Sequence, residues 1–60
     1  MKDWRNLKTG DKVIYHTEEF DGSITEVGNI TEVHEDYAIL RANGMNLWID
    51  DDTEELFKRA

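Results

Sequence analysis

Apolar residues fall in four short bursts along the chain: Val13-Ile14-Tyr15, residues 24–33, residues 37–42 and Leu47-Trp48-Ile49. They are rich in β-branched and aromatic side chains and punctuated by Gly, a pattern that predicts strands. In the first strand, residues 12–17, Val13 and Tyr15 point one way and Ile14 and His16 the other. An apolar residue on each face suits a strongly curled sheet. Residues 18–23 read as a loop, with Asp21-Gly22 as its turn signal. Ile24-Thr25-Glu26-Val27 then recurs as Ile30-Thr31-Glu32-Val33 across Gly28-Asn29. The spacing is far below that of solenoid repeats. Gly28-Asn29 is either a hairpin turn or a bulge in one bent strand. The favoured arrangement sets residues 24–27 in a long loop or short strand and residues 29–34 in a core strand.

Glu35-Asp36 turns the chain into a strand over residues 37–42. Asn43-Gly44 is the strongest hairpin signal present, and residues 45–49 run back antiparallel. Leu47 and Ile49 share one face of that strand and Trp48 takes the other. Asp50-Asp51-Asp52-Thr53 reads as a tight turn, and residues 54–59 as a closing strand, with a helical turn as the alternative. At the start, Asp3 is placed to cap a single helical turn. Trp4 and Leu7 would share its inner face, with Trp4 plugging one end of the core. Five short strands without a long helix predict one all-β domain over residues 1–60. At this length the form expected is a small five-stranded SH3-like barrel, because closure removes exposed edges. Val13, Tyr15, Ile30, Val33, Ile39, Leu47 and Ile49 are its expected core.

Charge sharpens this picture. The chain has 60 residues, 35 % of them charged, and a net charge of −7. Residues 13–40 contain no Lys or Arg, yet hold seven acids: Glu18, Glu19, Asp21, Glu26, Glu32, Glu35 and Asp36. The bases sit near the ends, as Lys2, Arg5, Lys8, Lys12, Arg41, Lys58 and Arg59. Chain ends brought together would leave the middle as an acidic face. No Cys is present, which excludes disulfides and thiolate metal sites. No apolar run is long enough to span a bilayer and no signal-peptide pattern appears, so a cytoplasmic protein is expected.

Candidate chemistry is sparse. Asp50, Asp51, Asp52, Glu54 and Glu55 offer oxygen ligands, but not at the calcium-loop spacing, and read as a solvated turn. His16 and His34, with neighbouring Glu, suggest an acid–base pair. No nucleophile motif accompanies them, and so short a chain has little room for a pocket of roughly 300 Å³. No catalytic residue, metal or cofactor is expected. Most aromatic side chains must be core in a domain this small. Phe20, in a charged loop, and Trp48, opposite the Leu47/Ile49 face, are the two expected outside.

Thr9-Gly10-Asp11-Lys12-Val13 opens the first strand; Gly22, Ile30-Thr31-Glu32-Val33, Tyr37-Ala38-Ile39-Leu40, Asn43-Gly44 and Trp48-Ile49-Asp50 follow. In this order they resemble the SH3-like small barrels of the KOW and related bacterial or phage families, over about residues 9–58. The resemblance implies a long loop at residues 16–28 and a helical turn before the last strand. It also implies contact with nucleic acid or the ribosome through basic residues. Where such loops are basic, this chain has Glu18, Glu19, Asp21 and Glu26, which argues against direct nucleic-acid binding. In size and charge the chain is similar to small acidic proteins that phages use against host nucleases, anti-CRISPR proteins among them. The expected partner is therefore a protein with a basic surface, met by the seven acids together with Phe20 and Trp48. Carboxylates on a rigid barrel would imitate a nucleic-acid backbone. The alternative is a KOW-like module touching nucleic acid or the ribosome through the basic ends.

Overall fold

The computed structural model describes residues 1–60. Five strands form one antiparallel sheet: β1 (Lys12–Glu19), β2 (Gly22–Val33), β3 (Ala38–Ala42), β4 (Met45–Ile49) and β5 (Phe57–Arg59). Their order is β4-β3-β2-β1-β5. Short 3-10 turns occupy Trp4–Asn6 and Glu54–Leu56, so both alternatives for residues 54–59 are realised in succession. The protein is all-β, as expected. No ladder joins β4 to β5, so the sheet is not closed.

Two local expectations are corrected. Residues 18–23 are not a loop. Glu18 pairs with Ser23 and Glu19 with Gly22, leaving only Phe20 and Asp21 in the turn. The Thr-rich, β-branched flanks extend the ladder to the tip, and this outweighs the charge that suggested a loop. Gly28 is neither a hairpin turn nor a bulge, because β2 runs through it unbroken. The register slips further on, between Ile30 and Glu32. Gly28 has a different task. A Cβ built there would lie 2.8 Å from the Cα and Cβ of Ala42 and against the Arg41 carbonyl oxygen. The sheet curls so tightly at this point that β2 and β3 meet backbone to backbone. β2 therefore serves two partners, with residues 22–29 on β1 and residues 29–33 on β3.

The other hairpin forms as its sequence demands. Asn43 (φ 50°) and Gly44 (φ 76°) both take the left-handed conformation, the requirement of the tight turn that favours this dipeptide.

Register sorts the side chains. Ile30, Leu40 and Leu47 lie opposite one another on the inner face, as do Ala38 and Ile49. With Trp4, Leu7, Val13, Ala42 and Phe57, the buried members make the core. Of the residues expected there, Tyr15, Val33 and Leu47 are only partly buried against it. Ile39 is buried on the other face, between Glu32 and Trp48 in the ladder. Trp4 fills its expected place with no exposed surface. Asp3 does not cap the first turn. Its carboxylate instead accepts from Arg59 at 2.9 and 3.1 Å, because a guanidinium fork from β5 outcompetes a weak local bond.

Candidate protein-binding surface

The seven acids do not form one face. β2 is twelve residues long, and it carries them apart. Glu18, Glu19 and Asp21 stand exposed at the tip of the β1–β2 hairpin, and Glu32, Glu35 and Asp36 gather at the far end of β2. Glu26 lies between, half-buried opposite Tyr15 on the inner face. No Lys or Arg forms an ion pair with any of the seven.

At the tip, Phe20 is fully exposed between Glu19 and Asp21. A phenyl ring in solvent at the end of a two-strand ladder has nothing of its own chain to pack on. Further down the hairpin, His16 bridges Thr25 Oγ1 at 2.7 Å and Glu18 Oε1 at 3.0 Å. At the far end Trp48 is 54 % exposed. It tilts against Tyr37 at 4.7 Å between ring centroids, and His34 stacks on Tyr37 at 4.4 Å. Glu32 Oε1 holds His34 Nε2 at 2.8 Å. The two predicted exposed aromatics thus sit one in each acidic district. His16 and His34 belong to different districts and do not converge on a common atom.

Five of the seven bases fall into two groups, and Lys2 and Lys8 stand exposed near the start of the chain. Arg5 forks onto both oxygens of Asp51 at 3.0 Å, and the Trp4 indole N–H donates to the same carboxylate at 3.0 Å. Arg59 holds Asp3 and reaches Asp11 at 3.6 Å. These pairs clip the first and last segments to each other. Lys12 and Arg41 remain without an ion pair, in one cross-strand row with Asn29 and Asn46 on the outer face. Lys58 stands beside that row, opposite Ile14. In the acidic turn that follows β4, Asp50 Oδ1 and both Asp51 oxygens bond to the protein itself. Asp50 Oδ1 accepts the N–H groups of Asp52 and Thr53 at 2.9 and 3.0 Å.

The clips carry a pH signature. The hydrogen bond from Arg5, followed by that from Trp4, holds the Asp51 carboxyl below the usual Asp range. Arg59 does the same to Asp3, again mainly through its hydrogen bond. A carboxylate with a depressed folded-state pKa contributes stability above its unfolded value of about 3.9. That contribution is lost as pH falls through the lower native value. Both pairs are solvent-exposed, so the effect is small. Urea melts at pH 7 and pH 3 are expected to show a shallower acid loss for D3N/D51N than for the unaltered protein.

No protein-family model, curated protein or solved structure matches the chain. No helix is long and apolar enough to cross a membrane.

Proposed function

We propose that this is a non-enzymatic protein that works by contact with another protein, one with a basic surface, through the tip of its β1–β2 hairpin. The observation that carries the reading is Phe20, fully exposed and flanked by Glu18, Glu19 and Asp21 without a neutralising Lys or Arg. Aromatic residues, Phe among them, are enriched at the core of protein interfaces, and the rim around them is polar. The net charge of −7 would speed association with a cationic partner. A basic surface of this kind is what nucleic-acid-binding proteins offer. We read the tip carboxylates as occupying positions that phosphates take, in the manner of a phage inhibitor of a host nuclease or other defence protein. Action in the cytoplasm belongs to the same reading. The strand order and the 3-10 turn before β5 support reading the curled sheet as an SH3-like barrel. Trp48, with Glu32, Glu35 and Asp36, forms a second contact area on the same partner.

A second reading rests on the row of Lys12, Asn29, Arg41 and Asn46 with Lys58 beside it, a face suited to a nucleic-acid backbone. One experiment separates the two. The protein is used as bait in host lysate, with E18K/E19K/D21K as control, and tested in parallel by gel shift on DNA and RNA. The first reading expects a retained protein that salt releases and the triple reversal loses, with no gel shift. Retention that survives the reversal at low salt contradicts it. A gel shift that weakens steeply with salt establishes the second reading instead.

A further inference from the structure

The β1–β2 hairpin projects beyond the rest of the sheet, and this leaves part of β2 with one side unpaired. β3 covers β2 only over residues 29–33. The direction of the backbone groups follows from Ile30. Its N–H donates to the Asp11 carbonyl at 2.8 Å, and its carbonyl accepts from the Gly10 N–H at 2.7 Å. Both bonds point to the β1 side. Backbone groups alternate along an antiparallel strand, and the β1–β2 register is unbroken from Lys12↔Asn29 to Glu19↔Gly22. The N–H and carbonyl groups of Ser23, Thr25 and Val27 therefore point away from β1, where no strand of this chain lies.

Edges of this kind are usually blunted by charge, Pro or a bulge. Residues 23–27 have no Lys, Pro or bulge, and their one charge is the half-buried Glu26, which repels a like-charged strand and favours a basic one. Ile24 and Val27 are instead 41 % and 51 % exposed, on opposite faces of the strand. We propose that this free edge of β2 takes an extended, basic segment of the partner protein as an added strand. Main-chain hydrogen bonds would supply the affinity of such a mode, and alternate side chains the selectivity. The partner segment fits best with an apolar residue beside Ile24 and a Lys or Arg beside Glu26. Charge also decides against a second copy as the occupant. It would bring another −7 and the same acidic hairpin to the edge.

This inference rests on the reading of the hairpin as the binding element, and its test can fail separately. Thr25→Pro deletes one outward N–H while sparing the β1 ladder, which edge strands tolerate. Thr25→Ala is its control, because both variants lose the Thr25 hydroxyl that contacts His16. Ser23→Pro repeats the deletion one outward position away, should Thr25→Pro fold poorly. The probe is the peptide Lys-Val-Lys-Thr-Val-Lys, which in an antiparallel register sets Val beside Val27 and Ile24 and Lys beside Glu26, compared with a backbone N-methylated form of equal charge. The expected result is slowed amide exchange at Ser23, Thr25 and Val27 on binding. Affinity should drop at least tenfold for Thr25→Pro relative to Thr25→Ala, and similarly for the N-methylated peptide. Equal affinity of the two variants, or of the two peptides, overturns the proposal. So does a concentration-dependent dimer that Thr25→Pro dissolves, which would make a second copy the occupant. If E18K/E19K/D21K abolishes capture from lysate while Thr25→Pro does not, the acidic tip stands and the strand edge falls. If neither variant alters capture, both readings fall.

Discussion

Trp4→Ala is expected to leave most of the chain unfolded at 25 °C. Trp4 has no exposed surface and belongs to a core cluster of nine residues. It is the largest fully buried side chain in the protein. Its ring carries the Arg5 guanidinium at 4.5 Å, and its indole N–H reaches Asp51. One side chain thus ties the first 3-10 turn to the loop after β4. Truncating a buried Trp costs about 3–5 kcal/mol. A single core in a domain of this size supplies little more than about 3–5 kcal/mol in total. The cost and the reserve are comparable, so the folded fraction collapses. Far-ultraviolet circular dichroism and the fluorescence of the remaining Trp48 check this. A cooperative urea transition for Trp4→Ala close to that of the unaltered protein would contradict the packing described.

Gly28→Ala is expected to destabilise the protein, against the usual direction. Replacing a strand Gly with Ala ordinarily gains roughly 0.5–1 kcal/mol. Here the new methyl would meet the backbone of Arg41 and Ala42, and backbone cannot rotate away as a flexible side chain would. The strands must separate where β2 passes from β1 to β3. A cost of about 2–3 kcal/mol follows for such overpacking, equivalent to a fall in Tm of roughly 10–20 °C in a domain of this length. Amide exchange should quicken first at Asn29 and Arg41, the ladder pair next to the clash. Larger residues at position 28 should be worse in order of size. Unchanged or raised stability in Gly28→Ala would mean that the sheet curls less tightly than described.

The contrast at Gly28 shows where sequence reading succeeds and stops. Asn43-Gly44 announces its turn because the conformation it needs is local, and only a few dipeptides adopt it readily. The alternation in residues 45–49 likewise places Leu47 and Ile49 against the core and Trp48 outside. Gly28 carries no such local mark. Its reason is a contact with Ala42, fourteen positions on in the chain, so turn, bulge and close approach all fit the same two letters. The same limit hid the clips, since Arg5 meets Asp51 and Arg59 meets Asp3 only after the sheet has formed. Ala38 and Ala42 were missed as core residues because small side chains give little hydrophobic signal, although register buries them.

The acidic residues of the proposed site were legible in composition, but their layout was not. Glu18, Glu19 and Asp21 adjoin Glu32, Glu35 and Asp36 in a base-free window of sequence. A strand rises about 3.3 Å per residue, so β2 turns that adjacency into separation. Its uninterrupted course became visible only when Gly28 proved to be mid-strand. Exposure of Phe20 and Trp48 was predictable from charge and alternation. The unpaired edge of residues 23–27 was not, because it depends on where β3 stops.

The proposed function requires that a protein partner be met by the acidic hairpin tip and not by the basic outer face. The most direct measurement is the Kd at low salt of the protein retained from host lysate, for two charge variants side by side. E18K/E19K/D21K should weaken binding at least tenfold, while K12E/R41E/K58E should leave it unchanged or tighter. The reverse pattern, with the tip variant binding normally and the outer-face variant losing affinity, would contradict the account.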